Sequence, residues 1–391
     1  MTRISKFKKI CVVTGSRAEY GLLQNLLFLI KKEKLFKLQL FVTGTHLSNK
    51  HGLTVKNIIK DQFNIKNKID LKLKKDDSSS LAKSMSLGLS KFVKSFEKNK
   101  PNLIILLGDR YEIFIACIAA TLCRIPIAHI HGGEITKSLL DEAFRHSISK
   151  MSHLHFTATD IYRKRVIQMG EMPKNVYCVG GLGVDNINFS DLYTKSELEK
   201  KLKIKFLKNT IIVTYHPETL KKNSSLSNLK NLFSALKKLK GTTIIFTMPN
   251  FDIESNVIYN LIKKFISKRK NCYLFKSLGQ KKYFSCCKYS NFMIGNSSSG
   301  LLEMPTFKKF SINIGERQTG RIKAKSVIDC NSNTKSITKA INFALDPANQ
   351  KKIKDVVNPY GKGGASKKII NVLKSKNFKK LILKEFFNIR F

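Results

Sequence analysis

Short apolar runs, rich in β-branched residues and each ending in a glycine or polar turn, alternate with helical patterns along most of this chain. KICVVTG reads as a strand, and AEYGLLQNLLFLIKK after it places apolar residues at helical spacing. LQLFVTG (residues 38–44), PNLIILLGD, IPIAHIHGG and HLHFTAT follow, each with a helical segment beside it, and VYCVGGLGVDNI closes this series near residue 187. After a lysine-rich helical stretch the pattern restarts with NTIIVTYHPE, GTTIIFTMPN, NCYLFKS, NFMIGNSSSG and KKFSINIGE. Buried strands alternating with helices mean a parallel sheet covered on both faces. Two series in 391 residues, more than one core usually serves, predict an α/β protein of two doubly wound, Rossmann-like domains with a cleft between them. A hydrophobic share of 42% suffices for two cores.

Several classes are excluded. The longest apolar run, IFIACIAATLC, stops at Arg124 after eleven residues, short of the roughly 20 needed to span a bilayer. The basic start MTRISKFKKICVVTGSR lacks the apolar core of a signal peptide. Eight cysteines without a CxxC, two of them adjacent at 286 and 287, do not form a disulfide framework or a zinc ribbon. These features predict a soluble cytoplasmic protein with reduced thiols, mostly in the core. The formal charge of +45 raises nucleic acid as a partner. The lysines, however, are spread thinly in pairs such as those at 31, 74, 200, 221 and 237, without an aromatic-interleaved basic block. A solvated lysine-rich surface accounts for them, and neither nucleic acid nor membrane is expected as a partner.

The unusual polar residues fall in one kind of place. Open parallel sheets bind ligands at the carboxyl ends of their strands. Arg17 and Glu19 follow the first strand, His46 the second, and Asp109, Arg110 and Glu112 follow LIILLG; His129 and His131 end IPIAHI, His216 ends TIIVTY, and the serines of GNSSSG follow NFMI. In GNSSSGLLEMP, small residues at 295–300 lead into a helix, whose positive end would take a phosphate, with Glu303 one turn on as an acceptor for ribose hydroxyls. A plain serine cap explains the motif as well; it has neither the GK[ST] of a Walker loop nor a GxGxxG turn.

HIHGGEITKSLLDEAFRH, residues 129–146, crowds histidines and carboxylates beside two glycines. Zinc ligation, an acid/base site and core histidines bonded to backbone all remain open on residue type alone, although HExxH spacing is missing. Leu140, Phe144, Ile148 and Met151 mark one helix face, with Asp141 and Arg145 an i,i+4 step apart near the helix start and Glu142 facing solvent.

Together TGSRAEYGLL, LLGDRYEIF, HIHGGEIT, DEAFRHSISKMSHLHF, TYHPET, GNSSSGLLE, GERQTGR and NPYGKGGASKKI resemble the hydrolysing UDP-N-acetylglucosamine 2-epimerases, bacterial enzymes that open sialic-type (nonulosonic) acid synthesis. The motifs run in the family's order from residue 14 to about 370. The resemblance implies a GT-B-like architecture with an N-terminal domain over 1–187 on the sugar side, a UDP-binding domain over 188–368, and a C-terminal helix, 369–391, packing back on the first. It implies anti elimination of UDP to a 2-acetamidoglycal, then addition of water with inversion at carbon 2. It implies no metal or redox cofactor, a nucleotide-sugar substrate, and a homo-oligomer, dimer or tetramer. Asp109 and Asp141 match the family's catalytic carboxylates and His216 its histidine near the phosphate. Arg17, Ser297, Ser298 and Glu303 match UDP-contacting positions, and Arg317 and Arg321 line the nucleotide side. Glu19, His46, Arg110 and Gly300 join them as substrate-binding candidates.

One position departs. Relatives often carry glutamate where this chain has His131, so the proton-transfer task passes to His131 itself or to Glu134. A non-hydrolysing epimerase, which would read HVEAGLR in place of HIHGGEI, a GT-B glycosyltransferase and a basic nucleic-acid-binding protein are the competing readings. The same reaction on UDP-N,N'-diacetylbacillosamine, for legionaminic acid, is the alternative within the family.

Overall fold

The computed structural model describes residues 7–49, 52–72, 77–136, 140–217, 224–248 and 255–389. The chain divides into two compact units, one of residues 1–134, 141–186 and 363–391, the other of residues 135–140 and 187–362.

The first unit is built on a seven-stranded sheet in the order β3-β2-β1-β4-β5-β6-β7. Its strands are β1 (Lys8–Thr14), β2 (Phe36–Thr43), β3 (Ile65–Ile69), β4 (Leu103–Leu107), β5 (Ile127–Ile130), β6 (Leu154–Thr157) and β7 (Val176–Cys178). Every pairing is parallel. Parallel strands need crossovers, and helices such as Arg17–Lys32 and Tyr111–Leu122 supply them. Alternate residues of β1 enter separate cores: Ile10 and Val12 join one cluster, Cys11 and Val13 the other. A strand buried on both sides needs apolar residues at every position, which is why its sequence reads as a continuous run.

The second unit repeats the plan with six parallel strands, β8 (Asn209–Thr214), β9 (Thr242–Thr247), β10 (Cys272–Phe275), β11 (Phe292–Gly295), β12 (Phe310–Ile314) and β13 (Val327–Cys330). Their order is β10-β9-β8-β11-β12-β13. Ile211 and Val213 pack on one face, Ile212 on the other. The eight cysteines form no disulfides; Cys11, Cys117, Cys286 and Cys287 are buried, whereas Cys178 is exposed. No described helix is long and apolar enough to cross a membrane.

Two sequence readings need correction here. The boundary at 368/369 falls inside one helix, Ala365–Ser375, and the chain re-enters the first unit at Gly363. That helix is a single amphipathic element whose Ala365, Ile369, Ile370 and Leu373 pack with Leu23, Leu26 and Leu27 of the helix Arg17–Lys32. Asp185 caps it, accepting from the amides of Gly364, Ala365 (2.9 Å) and Ser366 (2.7 Å). Leu140 does not share the buried face drawn for its helix; it is exposed, while Ile148 is buried and Phe144 stacks on Phe114 at 4.8 Å.

Candidate functional site

Each sheet reverses its strand order once, between β1 and β4 in the first unit and between β8 and β11 in the second. At such a reversal the connections leave to opposite faces and open a crevice beyond the carboxyl ends of the strands. Most of the candidate residues read from sequence lie at these two points or one strand away.

In the first unit, β1 ends in a turn capped by Ser16, whose hydroxyl accepts from the Glu19 amide. Glu19 folds back, its Oε2 accepting from the Gly15 amide at 2.7 Å. Burial pushes its carboxyl up to about 8, and the charge of Glu112 adds to the shift. Glu19 therefore faces inward, whereas Arg17, at the start of the helix, is exposed. His46 is also turned in. Its ring nitrogens lie 3.1 Å from the Thr14 hydroxyl and 2.8 Å from the Thr54 hydroxyl, and burial lowers its pKa to about 4, so it stays neutral.

After β4, Gly108 turns the chain with a positive φ of 78° and presents Asp109 and Arg110. Arg110 Nε pairs with Glu112 Oε1 at 3.0 Å. Asp109 pairs with Arg145 of the helix Asp141–Met151. Arg145 is only 2% exposed, and it also donates to Glu142 at 2.7 Å and to the Glu134 carbonyl at 3.0 Å. Burial opposes its charge, but Asp109, Glu134 and Glu142 hold its pKa above the ordinary value. One guanidinium thus ties the β4 turn, the β5 turn and its own helix together. Glu142, expected to face solvent, is instead bound to Arg145 and lies 3.0 Å from His146. Asp141 stands half-buried at the first position of that helix.

The two strand-end histidines of β5 divide. His129 is a core residue, fully buried, with Nε2 2.8 Å from the Gly108 carbonyl and Nδ1 3.0 Å from Ser149 Oγ. Burial lowers its pKa to about 3. His131 has a left-handed backbone, φ 67°, which a residue with a Cβ adopts at a cost of roughly 1–3 kcal/mol. Its Nδ1 lies 3.1 Å from Glu134 Oε1, and its buried Nε2 has no hydrogen-bond partner among the described residues. The glycines between them leave no room for a side chain: a Cβ on Gly132 would stand 2.6 Å from Ser149 Oγ, and one on Gly133 2.5 Å from the Tyr162 carbonyl oxygen. Among the described residues no three His, Cys, Asp or Glu side chains gather as a metal ion would require.

The second unit's reversal is built from amides. Gly295 ends β11 with φ 143°, where a Cβ would meet the Thr214 carbonyl oxygen at 1.9 Å. The close approach lets Asn296 bond twice to the chain just beyond β8, accepting from the His216 amide (2.7 Å) and donating to the His216 carbonyl (2.8 Å). Gln318 Nε2 donates to the Asn296 carbonyl at 2.8 Å, Arg317 reaches the same oxygen at 3.3 Å, and Arg321 donates to Gln318 Oε1 at 3.2 Å. His216 is buried, which together with the Arg317 charge holds it well below the usual histidine range and neutral. The helix expected after the serines is one turn long, Ser299–Leu302, so its dipole is far weaker than the sequence reading supposed. The Ser297 and Ser298 amides make no backbone hydrogen bond among the described residues. Gly300 sits against Ser311, whose Oγ a Cβ would meet at 2.1 Å. Glu303 accepts from the Ser299 hydroxyl, itself bonded to Tyr283, and burial raises its carboxyl to about 7.

Asn296, Gln318 and Glu142 were not singled out as site residues from the sequence. Asn296 and Gln318 stand inside motifs that were, and uncharged amides carry little signal until the turns they bridge are known.

Residues 29–374 match the family model described as UDP-N-acetylglucosamine 2-epimerase. A Campylobacter jejuni protein described as a GDP/UDP-N,N'-diacetylbacillosamine 2-epimerase (hydrolyzing) is 43% identical over 83% of this chain and 85% of its own. The polysialic acid biosynthesis protein P7 of Escherichia coli is 41% identical over 94% of each. Among solved structures, the UDP-GlcNAc 2-epimerase of Neisseria meningitidis bound to UDP-GlcNAc superposes with a TM-score of 0.80 at 19% identity, covering 94% of this chain and all of that one. That likeness gives the GT-B-like fold of two parallel-sheet α/β domains, and the sequence matches give the family. The chain belongs to the UDP-N-acetylglucosamine 2-epimerase family, with the hydrolysing 2-epimerases.

Proposed function

We propose that the protein converts UDP-N-acetylglucosamine and water to UDP and free N-acetylmannosamine through a 2-acetamidoglucal, an early step of sialic-type acid synthesis. The observation that carries this is the network of proton-transfer groups fixed around Arg145 in the first unit: Asp109, Glu134 and Glu142, with His131 on Glu134. A base takes the proton from carbon 2 while the carbon 1–oxygen bond to UDP breaks, forming the carbon 1–carbon 2 double bond. Water then gives its hydroxyl to carbon 1, and a proton returns to carbon 2 on the opposite face. Both halves need groups that move protons at fixed positions, and Asp109, Asp141, Glu134 and His131 take these tasks. The buried Nε2 of His131 has no hydrogen-bond partner among the described residues, which supports His131 in the place of the family's glutamate. Neither step requires a metal or redox cofactor.

In the second unit the neutral His216, the Ser297 and Ser298 hydroxyls and amides, and Arg317 and Arg321 take the diphosphate, with Glu303 toward the ribose. Arg17 and Arg110 are cations at the first unit's own reversal. Fixed donors of this kind stabilise a departing phosphate without moving a proton. The protein works as a cytoplasmic homo-oligomer in this reading.

A second reading, the same reaction on UDP-N,N'-diacetylbacillosamine, is favoured by the 43% identity to the Campylobacter protein. Both nucleotide sugars are offered separately to the purified protein, and UDP release is followed with product identification. Release of an epimerised free sugar from one of them fixes the substrate. A sugar that stays on UDP, or no turnover of either, contradicts the proposal.

A further inference from the structure

Two buried carboxyls meet at the β1–β4 reversal with too few hydrogen bonds for two charges. Glu19 is 7% exposed and Glu112 0%. Glu19 Oε2 takes the Gly15 amide and Glu112 Oε1 takes Arg110 Nε, while Glu19 Oε1 and Glu112 Oε2 are buried with no hydrogen-bond partner among the described residues. Both side chains press on the same turn. A Cβ on Gly15 would stand 2.3 Å from Glu112 Cγ and 2.7 Å from its Oε1, and a Cβ on Gly44, beyond β2, 3.1 Å from that same oxygen. The charged groups around Glu19 are Glu112, Arg110 and Asp109. His46, beside them after β2, already has both ring nitrogens engaged.

One guanidinium cannot offset two buried carboxylates, and a buried oxygen without a donor costs about 1–3 kcal/mol, more when charged. A single proton kept by the pair removes one of the two charges and turns one carboxylate oxygen into a donor. We propose that Glu19 and Glu112 share one proton at neutral pH, and that this singly protonated pair is a positioning device that holds the Gly15 turn, and through it Arg17 and Arg110, in working alignment.

The upward shift of Glu19 to about 8, caused by burial and by Glu112, agrees with a proton retained through neutrality; such a titration belongs to the pair rather than to either residue. The sign follows from linkage. Between the ordinary value of 4.5 and about 8 the folded chain keeps a proton that the unfolded chain has released, so stability falls as pH rises through that window. Above it the two charges repel across Gly15 and the turn loosens.

Only the kinetic readout rests on the proposed 2-epimerase activity. The test compares wild type with Glu19→Gln and Glu112→Gln, neutral at one carboxyl each, for thermal midpoint and kcat between about pH 6 and 9. Wild type loses both on the alkaline side, whereas the variants keep a flat kcat and a shallower stability slope. An unchanged slope in Glu19→Gln overturns the shared proton. A shallower slope with the alkaline limb of kcat unmoved leaves only a structural pair and overturns the positioning role. Should neither variant fold, or no nucleotide sugar turn over, infrared difference spectra of wild type decide. A carboxylic-acid carbonyl band present at neutral pH and lost on alkalinisation supports the shared proton, and its absence overturns it.

Discussion

At the β1–β4 reversal and the neighbouring β5 turn the side chains are ionisable and bound to one another, whereas at the β8–β11 reversal they are mostly amides, hydroxyls and one neutral imidazole. Asp109, Arg145, Glu142, Glu134 and His131 form one connected group, side chain to side chain except where Arg145 donates to the Glu134 carbonyl. His216, Asn296 and Gln318 form another, in which the bonds run through backbone carbonyls and amides. The two units repeat one strand plan, so the contrast is not a consequence of the fold. It teaches that a doubly wound sheet offers the same crevice to any chemistry, and that the residues at the strand ends decide whether it moves protons or holds an anion.

That contrast can be broken by substitution, and the largest effect is expected at Arg145. Replacing it with Met leaves three acceptors around a lost buried cation and should destabilise the protein by about 3 kcal/mol, read in urea unfolding; a loss well under that would mean the network is not held by this residue. Asp109→Asn and Asp141→Asn should fold normally and lose at least ~100-fold in kcat, the lower range for a group that transfers a proton. Near-normal rates would take them out of the reaction.

In the second unit Asn296→Ala removes both bonds to His216 and should cost about 1–3 kcal/mol in stability. Its effect on activity should appear in KM for the nucleotide sugar before kcat. Ser297→Ala should raise KM by roughly 3- to 10-fold, one neutral hydrogen bond, with kcat unchanged. A kcat effect as large as that of Asp109 would erase the division between the units. The smallest effect is expected from Glu303→Gln. Burial raises this carboxyl to about 7, so the folded state keeps its proton between the ordinary 4.5 and 7 while the unfolded state does not. Wild-type stability should fall relative to the variant as pH rises through that window and level off above it; parallel curves would contradict the shift.

Much of this organisation is legible in the sequence because buried parallel strands have to be apolar throughout. The strands the sequence reading passes over, β3 with IKNKI and β13 with VIDC, are two of the four edge strands. At an edge one side of the strand meets solvent, and lysines or an aspartate interrupt the run. Strand order was not legible, since it depends on pairings between residues far apart, and with it went the position of the two reversals. Asp109 and Arg145 stand 36 residues apart in sequence, so their pairing could not be read. Glu19 and His46 lie at the correct edge but point inward, a distinction set by the Gly15 amide and the Thr54 hydroxyl and invisible in residue type.

The most direct test of the account is proton NMR of the purified protein with UDP-N-acetylglucosamine, then UDP-N,N'-diacetylbacillosamine, in heavy water. It predicts free UDP and a free amino sugar of inverted configuration carrying deuterium at carbon 2 from one of the two. Epimerisation that retains the original hydrogen at carbon 2, or a product still bound to UDP, would contradict it.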